Sequence, residues 1–300
     1  MPEHAGRAPF GARLRAAMDA RGPLCVGIDP HPGLLAAWEL NDDAAGLERF
    51  SRTVLEAVAG TAAAVKPQVA LFERHGSAGM AVLERLLADC RAAGVLSIAD
   101  AKRGDIGSTM AAYADAWLRD GSPLAADAVT LSPYLGFESL RPALDLAAAT
   151  GRGTFVLALT SNPEGAAVQH VGAGSRGSGG SVAQRITAAA ADENARERGR
   201  YPGESGKAFL GSTGLVVGAT VGTAIDDLGL ELAGAAAPLL APGLGAQGAT
   251  AADLRRTFGG AAANVLATSS RDILRAGPSA SALRAAAERT GAELAAELPA

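Results

Sequence analysis

The chain alternates between short apolar runs and longer amphipathic or alanine-rich stretches. Most of the short runs are continuously apolar, which is typical of strands in a parallel sheet that is covered on both faces. Eight strands are predicted, at residues 24–29, 63–67, 95–100, 128–132, 154–159, 215–220, 238–242 and 264–268. Helices are predicted between and after them, near residues 44–59, 78–93, 107–119, 137–149, 181–198, 223–233, 250–257 and 279–297.

The regular alternation predicts the fold class. Eight β–α units in a chain of 300 residues favour an α/β protein with a closed (β/α)8 TIM barrel over an open doubly wound sheet. We expect a single barrel domain over residues 1–300. Residues 1–23 predict an extra helix before the first strand. Residues from about 161–213 predict a loop-rich insertion between strands five and six, and its glycine- and serine-rich start is a candidate lid.

The composition narrows the functional classes. A formal net charge of −4 argues against a surface for nucleic acids or anionic membranes, because both require clustered positive charge. The first residues lack an apolar run of signal-peptide length, and no stretch resembles a membrane span. Two cysteines, Cys25 and Cys90, are too few for a disulfide framework. We therefore expect a cytoplasmic protein without nucleic-acid or membrane partners.

Lysine is scarce, and the positions of the lysines are informative. Lysine and arginine together number 27, yet only three are lysines: Lys66, Lys102 and Lys207. A lysine retained in an arginine-rich chain indicates a need for a compact, titratable ammonium, although survival by chance is the alternative. Lys66 and Lys102 lie at the ends of the second and third predicted strands. Active sites of TIM barrels lie at the carboxyl ends of strands, so both are candidate catalytic residues.

Asp100 and Lys102 form the centre of the predicted chemistry. Residues i and i+2 of a strand point to the same side, so both side chains are expected to face the barrel mouth. Lys66 can reach them from the neighbouring strand. Opposite charges within about 4–6 Å favour the charged forms, which predicts a protonated Lys102 that acts as a general acid. A purely structural salt-bridge network is the alternative.

A phosphate site is predicted where strands seven and eight end, because the loops at these positions bind phosphate in many TIM barrels. The loop GLGAQG (243–248) offers backbone N–H groups at Gly243 and Gly245 and the side-chain amide of Gln247. Arg271 adds a guanidinium. The loop also matches the G-x-G-x-x-G pattern of dinucleotide sites, but it lies too late in the chain and lacks a suitable ribose-binding acid.

No metal site is predicted. The four histidines show no ligand spacing such as H-E-x-x-H. His31 follows the first strand, where a loop or substrate-contact role is favoured over metal ligation.

The motifs together resemble a known family. The sequence DAKRGD (100–105), with Asp29 after strand one, Lys66 after strand two, APGLGAQG (241–248) after strand seven and SSR (269–271) after strand eight, resembles orotidine 5′-phosphate decarboxylase. The sequences DPHP and LTSNPEG and the long insertion are similar to its second, bacterial subgroup. The resemblance extends over nearly the whole barrel.

The resemblance implies a lyase that decarboxylates orotidine 5′-phosphate to uridine 5′-monophosphate (UMP) without a cofactor, in the last step of de novo UMP biosynthesis. It implies that Lys102 protonates C6 of the pyrimidine as carbon dioxide leaves. Asp100 would crowd the substrate carboxylate and help to hold Lys102. Lys66 and Asp29 would bind the ribose.

The remaining roles also come from the resemblance alone. Asp105, with Ile106 and Thr109 beside it, would reach the active site of a second subunit, which implies a homodimer. Ser161 would contact the pyrimidine ring. Gln247 and Arg271 would hold the 5′-phosphate.

Three other interpretations remain open. A Mg²⁺-dependent decarboxylase of keto-sugar phosphates in the same superfamily carries a similar motif, but the Arg103-Gly104 pair and the lack of an obvious extra carboxylate ligand favour the nucleotide. Activity in EDTA would separate the two. A Schiff-base aldolase would be trapped on lysine by borohydride. A non-catalytic binding barrel is disfavoured, because a desolvated Asp–Lys array is costly to maintain.

Overall fold

The computed structural model describes residues 7–174, 180–201, 210–245 and 248–298. Eight parallel strands close into a barrel in chain order, and the first strand pairs with the last. Each strand lies within three residues of its predicted bounds, so the predicted TIM barrel is confirmed. The strands are β1 (Leu24–Ile28), β2 (Ala64–Pro67), β3 (Leu96–Arg103), β4 (Ala128–Leu131), β5 (Gly153–Leu159), β6 (Thr213–Val217), β7 (Leu239–Pro242) and β8 (Val265–Ser269).

Helices surround the barrel, and the extra helix predicted before the first strand is confirmed as α1. The α-helices are α1 (Phe10–Arg21), α2 (Pro32–Ala37), α3 (Ala44–Val58), α4 (Ala70–Glu73), α5 (Gly76–Ala92), α6 (Gly107–Leu118), α7 (Arg141–Thr150), α8 (Ala166–Gln169), α9 (Val182–Arg200), α10 (Ala224–Asp227), α11 (Ala251–Phe258), α12 (Arg271–Leu274) and α13 (Ala280–Glu297). Single 3-10 segments lie at Phe137–Leu140, Pro163–Gly165 and Gly259–Asn264. None of the described helices is both long and apolar enough to cross a membrane.

The helix predicted near residues 223–233 is wrong beyond Asp227. Helix α10 has four residues, and Gly229 follows with φ +63°, a left-handed conformation that ends helices. Leu230 and Leu232 are nevertheless buried. The apolar spacing that suggested a longer helix therefore reflects the burial of irregular chain.

Helices α9 and α11 begin at side chains that cap their free N–H groups. The hydroxyl of Ser181 accepts a hydrogen bond from the N–H of Gln184 at the start of α9. At the start of α11, Thr250 and Asp253 form a reciprocal capping box. Such caps explain why the predicted and observed starts of these helices agree closely.

Helix α1 closes the amino end of the barrel. Phe10 and Leu14 are fully buried and belong to the cluster of apolar side chains that fills the barrel interior. The ring of Phe10 meets that of Phe155 on β5 edge to face, with centroids 5.9 Å apart. A larger apolar cluster lies between the strands and the outer helices. The carboxyl end of the barrel is the end left open for a site.

The insertion between β5 and β6 is only partly described. Its described start holds the 3-10 turn at Pro163–Gly165 and the short helix α8, so this part is not a structureless loop. Helix α9 then packs on β5 and β6 as the helix of the fifth unit. The candidate lid extends into residues 175–179, which lie outside the described residues, and its closure stays a prediction.

Candidate active site

A cavity of about 460 Å³ opens at the carboxyl ends of the strands. Its lining comes from segments around nearly the whole barrel, as expected for the functional face of this fold. Six of the residues predicted from the sequence line it: Asp29, Lys66, Asp100, Lys102, Gly243 and Arg271. The structure therefore brings the two lysines, their carboxylate partner and the phosphate-binding candidates into one space.

Asp100 is the centre of this cavity's hydrogen bonding. Its Oδ2 accepts from Lys66 Nζ at 2.9 Å and from Gln68 Nε2 at 3.0 Å. Its Oδ1 accepts from Lys102 Nζ at 2.5 Å and from Thr130 Oγ1 at 3.0 Å. Each oxygen thus has one ammonium and one neutral donor, which together occupy the roughly four acceptor positions of a carboxylate. The contact between Lys66, Asp100 and Lys102 that the sequence predicted is present, and their catalytic roles stay a prediction.

Asp100 and Lys102 meet for a reason that the sequence did not reveal. The pairing of β3 with β4 is regular at Ala99, and the register shifts before Arg103. Within this irregular stretch Lys102 has φ +47°, a left-handed conformation that is rare for a residue with a side chain. The bulge, rather than strand alternation, lets the Lys102 ammonium fold back onto Asp100.

Sequence reasoning missed Gln68 and Thr130. Gln68 lies two residues after Lys66, and this spacing was the available signal, because it places both side chains on the same side of an extended segment. Thr130 is the one hydroxyl inside the apolar run AVTL of β4, and it is 1% exposed. A buried hydroxyl is costly without a hydrogen-bond partner, and the Thr130 hydroxyl has Asp100.

The array holds its members in their charged forms. Burial by itself would raise the pKa of the Asp100 carboxyl, but the charges of Lys66 and Lys102 outweigh it and hold that pKa well below its usual range. Burial would likewise lower the pKa of the Lys66 ammonium, but the charges of Asp100 and then Asp29 raise it above its usual value. Asp100 is therefore an anion and Lys66 a cation throughout the neutral range.

Asp29 offers a free acceptor at the wall of the cavity. Its Oδ1 is buried, and none of the described protein groups donates a hydrogen bond to it. An unpaired buried carboxylate oxygen is costly unless a ligand completes it.

Gly243, Leu244, Ser270 and Arg271 form the part of the cavity wall that follows β7 and β8, and the β8 side of it lies next to Asp29. The loop after β7 is closed by a hydrogen bond from the N–H of Gly245 to the carbonyl of Ala249, at 2.8 Å. Gly245 does not line the cavity. A Cβ built there would lie 1.6 Å from Oδ2 of Asp272, so this glycine permits a close approach between the two loops. Gln247 lies outside the described residues, and its predicted role is untested.

A larger cavity, of about 820 Å³, lies at the other end of the molecule, between α7, α9 and residues 7–9. Most of its charged groups are paired with each other, for example Arg7 with Asp120 at 3.0 Å and Arg141 with Glu193 at 2.9 Å. The volume of a cavity therefore does not by itself identify the active site. In the described part of the chain, no group of three or more His, Cys, Asp or Glu side chains is placed to hold a metal ion.

Comparison with known proteins bears on this site directly. The model of the orotidine 5′-phosphate decarboxylase / HUMPS family matches residues 22–286. The chain belongs to this family. The match includes every strand of the barrel and every residue of the cavity, so the suspected resemblance is confirmed.

Close relatives in the family match nearly the whole chain. The orotidine 5′-phosphate decarboxylase of Streptomyces coelicolor is 59% identical over 287 residues, which is 95% of this chain and 97% of the relative. That of Salinispora arenicola is 58% identical over 96% of this chain and 98% of the relative. A crystal structure of a Streptomyces avermitilis protein named for the same enzyme has a TM-score of 0.90 and 56% identity, and covers 100% of this chain and 99% of that one.

The family motif also contains residues that lie outside the cavity. Asp105 Oδ1 accepts a hydrogen bond from the N–H of Ile106 at 2.8 Å, and neither side chain lines the cavity of its own chain. Ile106 is 62% exposed, and Thr109 is also exposed. Ser161 is exposed next to Thr160, which does line the cavity. A single chain therefore leaves these predicted contacts unmade.

Arg103 and Gly104 of the family motif shape the loop after β3 instead of facing the cavity. The Arg103 guanidinium binds Glu73 on α4 and lies over the rings of Tyr113 and Trp117 on α6. A Cβ on Gly104 would lie 2.3 Å from the carbonyl oxygen of Ser132. Neither residue lines the cavity, so the preference for a nucleotide that this pair suggested rests on the family match and the relatives, not on a cavity contact of Arg103 or Gly104.

Proposed function

We propose that this protein converts orotidine 5′-phosphate to UMP and carbon dioxide, in the last step of de novo UMP biosynthesis, with Lys102 as the proton donor. The observation that carries the proposal is the position of Lys102. Its ammonium is 2.5 Å from Asp100 Oδ1, while its side chain remains 47% exposed in the cavity. The group is thus held by a carboxylate and is still accessible to a ligand.

The reaction needs no external electron acceptor. The bond between C6 and the carboxylate carbon breaks, carbon dioxide leaves, and the electron pair stays on C6. Lys102 transfers a proton to C6 and recovers one from water. The ammonium of Lys102 is held beside C6 and stabilises the negative charge that develops there. Asp100 faces the substrate carboxylate.

The remaining cavity residues bind the rest of the nucleotide. Lys66 and the carboxylate of Asp29 bind ribose hydroxyls. The 5′-phosphate lies against Arg271 and the backbone of Gly243, where a guanidinium forms charge-assisted bonds. Gln247 and Gly245 complete the phosphate loop, and Ser161 contacts the pyrimidine.

A homodimer completes each site, with Asp105 contributed by the partner subunit. The proposal is supported by the exposure of large apolar side chains in the loops after β3 and β4: Ile106 is 62%, Tyr134 78% and Leu135 54% exposed. These loops follow neighbouring strands at the same barrel end, so they form one apolar surface beside the cavity. Such a surface suits a two-fold contact that carries Ile106, Thr109 and Asp105 towards a second site.

The dimer is tested by mixing two inactive variants. Asp105→Ala and Lys102→Ala subunits, unfolded and refolded together, form mixed dimers with one intact site, so about a quarter of all sites are expected to recover activity. Either variant refolded alone stays inactive. Absence of recovery despite a dimeric mass by light scattering would remove Asp105 from the partner's site.

The activity is tested by following the ultraviolet absorbance of orotidine 5′-phosphate in EDTA. We expect conversion to UMP by the wild-type protein, loss of at least about 10³-fold in kcat with Lys102→Ala, and no effect of Arg119→Ala, an exposed control. Conversion of a keto-sugar phosphate only with Mg²⁺ would instead support the alternative decarboxylase. Borohydride trapping of a carbonyl substrate on Lys66 or Lys102 would support an aldolase.

We also propose a cytoplasmic location. Cys25 and Cys90 are both buried and unpaired, which suits a reducing compartment. Cell fractionation with an antibody against the chain tests the location.

A further inference from the structure

Thr130 has a bonding pattern that links the two groups at the centre of the site. Its hydroxyl donates to Asp100 Oδ1 at 3.0 Å and accepts from the backbone N–H of Lys102 at 2.9 Å. The direction of both bonds is determined. An ionised carboxylate can only accept and a backbone N–H can only donate, so the single hydroxyl proton points to Asp100.

The place of Thr130 in the sheet explains why a side chain is needed there. The neighbouring residues of β4 pair with β3 through Val129 with Ala99 and Leu131 with Arg103. Thr130 therefore lies opposite the bulge. The N–H of Lys102 has turned away from regular ladder geometry at φ +47°, and the Thr130 hydroxyl supplies its acceptor.

We propose that Thr130 is a positioning residue, which holds the bulge so that the Lys102 ammonium and the Asp100 carboxylate keep a single relative placement. Without the hydroxyl, the N–H of Lys102 and one side of Asp100 Oδ1 lose their buried partner. A left-handed backbone conformation is unfavourable for a residue with a side chain. Without the hydroxyl, Lys102 loses a hydrogen bond that stabilises this conformation. Lys102 would then populate several conformations instead of one.

Loss of the Thr130 hydroxyl should affect turnover rather than ligand binding. Ribose and phosphate contacts come from β1, β2 and the loops after β7 and β8, none of which Thr130 touches through a hydrogen bond. Loss of the hydroxyl therefore lowers kcat with little change in the binding of UMP. The proposal rests on the proposed decarboxylase activity, because kcat is one of its readouts.

The experiment compares Thr130→Val, Thr130→Ser and the wild-type protein. Valine keeps the shape and removes the hydroxyl, and serine keeps the hydroxyl. We expect Thr130→Val to lower kcat about 10- to 100-fold, as for loss of a hydrogen bond at a reacting group, with the Kd of UMP changed less than about threefold. Thr130→Ser is expected to recover most of the rate.

Thr154 on the adjacent strand β5 provides a matched control. It is as buried as Thr130, at 1% exposure, but its hydroxyl has no hydrogen-bond partner among the described residues. Thr154→Val is expected to keep the wild-type kcat. Equal losses in Thr130→Val and Thr130→Ser, or a wild-type kcat in Thr130→Val, would overturn the proposal.

Crystal structures of the two Thr130 variants provide a readout that is independent of turnover. We expect Lys102 to leave its left-handed conformation or its contact with Asp100 in Thr130→Val, and to keep both in Thr130→Ser. An unchanged Lys102 in Thr130→Val would refute the positioning role even if the protein were inactive on orotidine 5′-phosphate. Inactivity of the wild-type protein would refute only the proposed function. If Thr130→Val does not fold, a low kcat in the folded Thr130→Ser protein refutes the proposal.

Discussion

Lys66 and Lys102 bind opposite oxygens of one carboxylate, with Nζ of Lys66 2.9 Å from Oδ2 of Asp100 and Nζ of Lys102 2.5 Å from Oδ1. The Lys66 side chain is 7% exposed and that of Lys102 is 47% exposed. The buried ammonium neutralises the carboxylate, so the charge of the exposed one remains available to a ligand. The cavity therefore favours negative charge near Lys102, as a carbanion-like transition state requires.

Asp100→Asn is expected to lower the free energy of unfolding by about 3 kcal/mol at pH 7, because it leaves the buried Lys66 ammonium without its main partner. In the wild-type protein the raised pKa of Lys66 stabilises the fold. This stabilisation is complete at pH values below the pKa of Lys66 in the unfolded chain, and it is lost as pH rises through the pKa of Lys66 in the folded protein. In the variant, burial lowers that pKa instead, so the unfolded chain binds more protons and stability rises with pH.

Urea unfolding between pH 7 and pH 10 measures this effect. The difference between the wild-type protein and Asp100→Asn should shrink as pH increases. Asp145→Asn, at an exposed position, is the control and should show no such trend. A difference that is constant across this range would contradict the assigned charge state of Lys66.

Arg271→Ala is expected to weaken the binding of UMP by about 100-fold while leaving the weak binding of uridine unchanged. The reason is that its guanidinium lines the cavity and would form charge-assisted bonds to the phosphate alone. Calorimetric titration with both ligands measures the two affinities. Arg275→Ala removes an exposed arginine one turn later and should bind UMP normally. Equal losses for UMP and uridine would place Arg271 away from the phosphate.

Gly104→Ala is expected to destabilise the loop after β3, because the added Cβ would lie 2.3 Å from the Ser132 carbonyl oxygen. Relief of this overlap requires backbone movement, which costs about 1–3 kcal/mol. The midpoint temperature of thermal unfolding and kcat are both expected to decrease. At Gly60 a Cβ meets nothing within 4 Å, so Gly60→Ala should change neither. A Gly104→Ala protein with wild-type stability would show that the loop adapts.

Arg103→Met is expected to lower the free energy of unfolding by about 1–2 kcal/mol and to reduce kcat. The guanidinium carbon lies 5.6 Å from the Tyr113 ring centroid and 5.8 Å from that of Trp117, and the same group binds Glu73. These contacts hold the segment that carries Asp105. Denaturant unfolding and steady-state kinetics measure both effects, with the exposed Arg119→Met as the control. A stable variant with reduced kcat would instead indicate direct contact of Arg103 with substrate.

The fold could be predicted because its signals are local. Continuous apolar runs form buried parallel strands, and the amphipathic or alanine-rich stretches between them form helices. The local pattern gave a wrong prediction after Asp227. The spacing of the buried leucines there resembles that of a helix, but the backbone is not helical. The site could be predicted as far as residue type and strand position suffice, which includes Lys66, Asp100 and Lys102.

The sequence by itself determined the barrel, the chemical groups at the ends of its strands and the family. Only the tertiary structure decided that Gln68 and Thr130 complete the bonding of Asp100, and that Lys102 reaches it through a bulge with a left-handed backbone. The physical reason is that apolar periodicity and strand order follow from short stretches of chain. Hydrogen-bond partners and strained dihedral angles depend on contacts between β2, β3 and β4, which form only when the barrel closes.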